Sequence, residues 1–271
     1  MIQRYLTYQQ GTARWLTRIA VALLGTIFFL FLGIPLAALL VREPPALLWQ
    51  NLQQPGVLQA LQLSLFTTCI STLLAILFGL PVAYILARTR LPGRRFLEIL
   101  VTMPTILPPV VAGVALLLAF GRFGLVGQYL TPLGITLSFS TAAVILAQLF
   151  VSSPFFVNSI KSGLEQLDQR YEAAAYTLRA SPFYTFRRVV LPLISPALFA
   201  GIGTAWARAL GEFGATIMFA GNFPGVTQTM PLAIYLASES DLDSAVALSV
   251  LLMAISFGLL LALNLGRKQR K

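Results

Sequence analysis

The sequence has no histidine and only one cysteine, Cys69, in 271 residues. Without histidine there is no imidazole metal site, no catalytic dyad built on histidine and no histidine pH switch. One cysteine excludes a disulfide scaffold, and inside an apolar segment it reads as a small packing residue. Charge is scarce too: Lys and Arg number 19, Asp and Glu only 9. No glycine-rich loop ending in Gly-Lys-Ser or Gly-Lys-Thr occurs, so the chain is not expected to hydrolyse ATP by itself.

Apolar side chains are what the sequence has in excess, at 57% of residues. Neither disorder nor an ordinary soluble domain fits that figure. Uncharged runs lie near 19–41, 63–86, 99–121, 139–160, 195–220 and 244–266. At 1.5 Å per helical residue each can cross about 30 Å of hydrocarbon. The expected fold class is an all-α membrane protein, one domain over 1–271 with six transmembrane helices. The first run is longer than a secretory signal core and no small-x-small cleavage site follows it, so it reads as a retained span.

The net charge of +10 does not point to nucleic acid, because the basic residues flank the apolar runs. With a cytoplasmic N-terminus, the inner segments hold Arg4, Arg14, Arg18, Arg88, Arg90, Arg94 and Arg95. They also hold Lys161, Arg170, Arg179, Arg187, Arg188, Arg267, Lys268, Arg270 and Lys271, which makes 16 of the 19 basic residues. Outer loops keep Arg42 and Arg122 together with Glu239, Asp241 and Asp243. This asymmetry predicts a multi-pass protein with both termini in the cytoplasm. No regulatory domain is expected beyond the last span.

Several spans are interrupted. "MPTILPPVVAG" carries Pro104, Pro108 and Pro109, each removing a backbone donor and disturbing the preceding turn. The freed carbonyls must face protein or a wet cavity, so the segment is either a packing kink or a break lining a pathway. Weaker signals of the same kind surround Pro35 and Pro81. "RALGEFG" places Arg208 and Glu212 four residues apart on one helix face inside a span. Ionised groups there pair, face the bundle interior or line a pathway. The two are therefore a packing pair or part of an inner gate or coupling contact, and Gly211 and Gly214 allow a close neighbour.

Between the fourth and fifth spans, residues 161–194 are neither lipid-like nor disordered. Leu164, Leu167, Tyr171, Ala174 and Leu178 recur at helical spacing and predict one apolar stripe on a short helix. Ser181 followed by Pro182 reads as an N-cap with proline at the first helical position. A second helical turn with Phe183, Phe186 and Val190 follows, and Pro192 precedes the next span. A compact helical hairpin of this kind is a connector or a docking element.

"EAAAYTLRASPFYTFRRVVLPLISPAL", residues 172–198, resembles the cytoplasmic loop of ABC importer permease subunits. The matches are Glu172, Ala174 and Ala175 at its start and Leu191 and Pro192 at its end, while Arg179 stands where that family has glycine. Arginine at positive φ is strained where glycine is not, so the tight turn there is in question. Over 61–265, "MPTILPPVVAGVALLLAFGRFGLVG" and "WARALGEFGATIMFAGNFPGVTQTMPLAIY" look like the molybdate/tungstate and sulfate permeases, the molybdate type more closely.

The resemblance implies a type I ABC importer permease fold whose loop forms a coupling helix seated on an ATP-binding subunit. Coupling residues carried over are Glu172, Ala174, Ala175, Arg179, Ser181, Pro182, Arg187, Arg188, Leu191 and Pro192; Arg179, Arg187 and Arg188 hold the ATPase or anionic lipid. The implied partners are two ATPase subunits binding ATP-Mg, a second copy of the permease, and an extracytoplasmic oxyanion-binding protein; no cofactor is expected in this chain. An oxyanion pathway needs modest donors. Pathway or gate candidates are Thr102, Pro104, Thr105, Pro108, Pro109, Ser152, Ser153, Thr204, Arg208 and Glu212. The alternatives are a sulfate importer, and a secondary transporter, which would show more intramembrane carboxylates than Glu212 alone.

Overall fold

The structure, a computed structural model, describes residues 2–42, 50, 53–89 and 91–268. Arg90, Arg270 and Lys271, counted among the inner basic residues, lie outside the described residues. Every regular element among the described residues is helical. In chain order these are α1 (Ile2–Arg42), α2 (Pro55–Arg88), α3 (Arg94–Ile106), α4 (Pro109–Phe120) and the short α5 (Gly127–Leu130). They continue with α6 (Thr141–Gln166), α7 (Arg170–Thr177), α8 (Pro182–Leu193), α9 (Ser195–Leu210), α10 (Gly214–Ala220), α11 (Met230–Ser240) and α12 (Leu242–Lys268).

Four described helices, α1, α2, α6 and α12, are each long and apolar enough to cross a membrane, and two bent pairs bring the number to six. The core lies where α2 packs on α6 and α6 packs on α9. Small and hydroxyl residues line the α2 side, among them Ser64, Thr68, Thr72, Ala75 and Gly79. They let the backbones approach closely in a setting where lipid offers no hydrophobic drive. At Gly79 a Cβ would lie 2.9 Å from the Phe156 ring, and one at Gly163 would meet Ala197 of α9 more closely still. By contrast α1 buries none of its apolar window in the chain and packs on α12, with Arg42 reaching Asp243 at 3.3 Å.

Two uncharged runs are not continuous helices. The 99–121 run is split between α3 and α4, whose axes turn by 117° at Leu107 and Pro108. Each of those residues precedes a proline and is driven to extended ψ, 134° and 135°, so the helix cannot pass. Pro104 by contrast is accommodated inside α3 and buried. The 195–220 run stops at Leu210 and restarts at Gly214, while α9 is itself bent by 75° from α8. Residues 230–240, which read as part of an outer loop, form α11, started by Pro231 in its first turn.

Candidate functional site

The hairpin of α7 and α8 begins where α6 ends at Leu167. The expected single stripe is therefore divided: Leu164 is buried at the end of α6, whereas Tyr171, Ala174 and Leu178 face outward from α7. Asp168 ends the continuity, its Oδ1 accepting the Arg170 N–H at 2.9 Å and restarting the helix. The outward stripe, with Arg179, Tyr184 and Val189, lines an open groove of about 780 Å³.

Arg179 has φ of +61°. The Ala180 N–H donates to Ala175 O and the Arg179 N–H to Tyr176 O, a Schellman closure that puts Arg179 at the left-handed position where glycine is usual. The tight turn is thus retained with arginine in it. Next in the chain, Ser181 Oγ accepts the Tyr184 N–H at 3.3 Å and Pro182 opens α8. Residues Phe186–Val190 widen into a π-turn, the Leu191 N–H bonding Phe186 O. Pro192 has no N–H to offer the turn before it, which accounts for the irregularity. Arg187, Arg188 and Pro192 are exposed, and Leu191 is half-buried.

Glu172 and Ala175 point the other way, into the bundle. The Glu172 carboxylate meets the Arg88 guanidinium at the end of α2 at 2.8 Å, with side chains only 11% and 9% exposed. Arg88 also donates to Leu167 O at 3.3 Å. A buried pair of this kind is expensive to break, at about 3–5 kcal/mol when one partner is removed. Beside it, Lys161 contacts Glu98 at 2.8 Å, and Arg94 contacts Glu98 at 2.9 Å and Glu165 at 3.0 Å, tying the foot of α3 to the end of α6.

The two helix breaks lie against each other. A Cβ on Gly214 would sit 2.6 Å from Pro109 Cβ, and one on Gly113 would sit 2.6 Å from Met218 Cβ. In the second break, Glu212 is 1% exposed, pairs with Arg208 at 2.7 Å and accepts the Ala215 N–H at 2.8 Å. The carboxylate therefore satisfies both a cation and the free backbone donor that starts α10.

The hydroxyl candidates disperse. Thr102, Thr105 and Thr204 each donate to a carbonyl three or four residues back in their own helix. Ser152 is buried on α6, one turn beyond Gln148, whose amide donates to Thr68 of α2 at 3.4 Å. Ser153 and Pro104 line a separate groove of about 300 Å³ between α2, α3 and α6. In the sequence Arg88 is only a charge at a span boundary, and the hydroxyl row of α2 is marked by nothing but its helical period, Ser64, Thr68, Thr72.

A family model described as the binding-protein-dependent transport system inner membrane component matches residues 75–265. The chain belongs to this family. The permease is 46% identical over 243 residues to the molybdenum transport system permease protein ModB of Mycobacterium tuberculosis, covering 90% of each chain. It is 37% identical over 239 residues to the sulfate transport system permease protein CysT of Salmonella typhimurium, covering 87% of this chain and 86% of that one. A bacterial ABC transporter involved in alginate import has a chain of the same fold, with a TM-score of 0.75 at 16% identity, covering 97% of the permease and 98% of that chain. These relations make the permease a multi-pass inner-membrane component of an ABC importer, a system that also has an ATPase and a periplasmic binding protein.

Proposed function

We propose that the permease forms the membrane pathway of an ATP-driven importer for molybdate and tungstate. The observation that carries this substrate class is the 46% identity to a molybdenum permease along nine-tenths of both chains, against 37% for a sulfate permease. Two copies of the permease enclose the pathway, and each docks one ATPase subunit, which binds ATP-Mg. An extracytoplasmic binding protein delivers the oxyanion. Both termini are cytoplasmic, in keeping with the basic residues of the inner segments.

The groove along Tyr171, Ala174 and Leu178 receives the ATPase, with Arg179 in its lining and Arg187 and Arg188 exposed on α8. Glu172, Ala175, Ser181, Pro182, Leu191 and Pro192 shape the hairpin that presents it. The stacked breaks at Pro108–Pro109 and Arg208–Glu212 form the gate region: backbone freed from helical bonding can change there with less loss than inside a regular span. Arg208, already neutralised by Glu212, offers the oxyanion no strong trap. Thr102, Thr105, Ser152, Ser153 and Thr204 are weaker pathway candidates, since three of them are occupied by their own helices.

The test is ATP-dependent uptake of labelled molybdate into proteoliposomes holding the permease, its ATPase and its binding protein. Equimolar tungstate should compete and sulfate should not. Equal or preferred transport of sulfate overturns the substrate class in favour of the sulfate reading. Uptake driven by an ion gradient without the ATPase overturns the importer reading.

A further inference from the structure

The Arg88–Glu172 pair joins elements that the chain could have left independent. Arg88 is the last residue of α2, Leu167 closes α6, and Glu172 lies in the first turn of α7. One guanidinium contacts both of the latter, at 3.3 Å and 2.8 Å. The Tyr84 hydroxyl, one turn back on α2, lies beside the same Glu172 carboxylate, and the Tyr84 ring stands edge-on to Phe186 of α8, centroids 5.6 Å apart. Both helices of the hairpin are thus held by the last turn of α2.

The other end of α2 is pinned as well. Ser64 Oγ accepts the Met230 N–H at 2.7 Å, so α2 holds the start of α11. Ser64 and Arg88 are separated by about 36 Å of helix at 1.5 Å per residue, and α2 is unbroken between them, through Pro81. A stiff element fastened at both ends by buried polar contacts moves as a unit, and a displacement at one end appears at the other.

We propose that Arg88 is a positioning residue for coupling: with Glu172 and Tyr84 it forms the buried link through which movement of the α7–α8 hairpin is passed to α2 and so across the bundle. This rests on the importer reading above. Both contacts are made by Nη2, so what arginine supplies here is reach from the last turn of α2 and a charge that cannot be titrated away.

The experiment measures ATP hydrolysis and labelled molybdate uptake in the same proteoliposomes, with the permease, ATPase and binding protein assembled. Arg88→Gln should leave the ATPase bound and hydrolysing while uptake per ATP falls by about tenfold, within the range of ordinary coupling energies. The double exchange Arg88→Glu with Glu172→Arg should restore much of the lost uptake per ATP. Tyr84→Phe, which keeps the ring against Phe186 and removes only the hydroxyl beside Glu172, should lower uptake per ATP less steeply and supplies the reading if Arg88→Gln does not assemble.

Unchanged uptake per ATP in Arg88→Gln, or in Tyr84→Phe where that variant is the one assembled, overturns the link. A proportional loss of hydrolysis and uptake that the double exchange does not relieve also overturns it, since that marks a merely structural pair. Wild-type vesicles that show no ATP-dependent molybdate uptake overturn the transport reading itself, a result distinct from a normally coupled variant in transporting vesicles.

Discussion

Arg179 is the residue at which sequence and local geometry disagree most openly. Its φ of +61° is disfavoured for any side chain with a Cβ, by about 1–2 kcal/mol. The Schellman bonds of Ala180 and Arg179 nevertheless close the turn, so the surrounding hairpin holds the strained residue in place. Arg179→Gly should therefore raise the thermal midpoint of the purified permease, with a gain of about 1 kcal/mol less the flexibility glycine adds to the unfolded chain. Arg179→Val should lower it, because a β-branched residue fits that region worst. If glycine lowers the midpoint, the arginine side chain contributes more than its backbone strain removes. Glu212 makes the opposite point. A buried carboxylate looks expensive in isolation, yet here it answers Arg208 and the Ala215 N–H together.

Among the elements, the crossing of α4 and α10 is the tightest feature near the proposed gate. Gly113 and Gly214 face Met218 and Pro109 at distances that admit no Cβ without movement. Neither glycine has the positive φ that would require it, so the constraint is the neighbour and not the backbone. Gly113→Val and Gly214→Val should each destabilise the permease by about 1–3 kcal/mol through overpacking. Uptake should fall further than the loss of folded protein explains, measured against the amount of intact permease in the vesicles. Gly56→Ala, which meets open space in the first turn of α2, is the control and should change neither. The ion cluster of Arg94, Glu98, Lys161 and Glu165 is half-exposed and contributes much less, as partly solvated pairs do.

For the molecule as a whole, α1 presents an apolar surface that the rest of the chain leaves exposed. None of its membrane window is buried by the rest of the chain. Hydrocarbon or a second permease must cover it. Co-expressed permease chains carrying two different tags should co-purify in mild detergent at a mass of two copies per complex. A single copy per complex, or an obligatory second permease of different sequence, would overturn the homodimer.

The sequence by itself determined the class of this protein. Composition requires a membrane, the length of the apolar runs requires helices, and the basic residues mark their ends, because each follows from the cost of putting charge or free backbone in hydrocarbon. The helical hairpin within 161–194 was legible for a similarly local reason, because capping and helical spacing act over a few residues, whereas the special place of Arg179 was marked only by the resemblance to a loop that has glycine there. What the tertiary structure decided is which distant groups meet. Nothing in the spacing of Arg88 and Glu172, or of Pro109 and Gly214, indicates contact, since 84 residues of chain separate the first pair and 105 the second. The α3–α4 turn of 117° likewise depends on where α10 packs, as prolines permit a break without fixing its angle. Pairing of buried charge and close approach of backbones are set by the packed bundle, and only there does the sequence become a site.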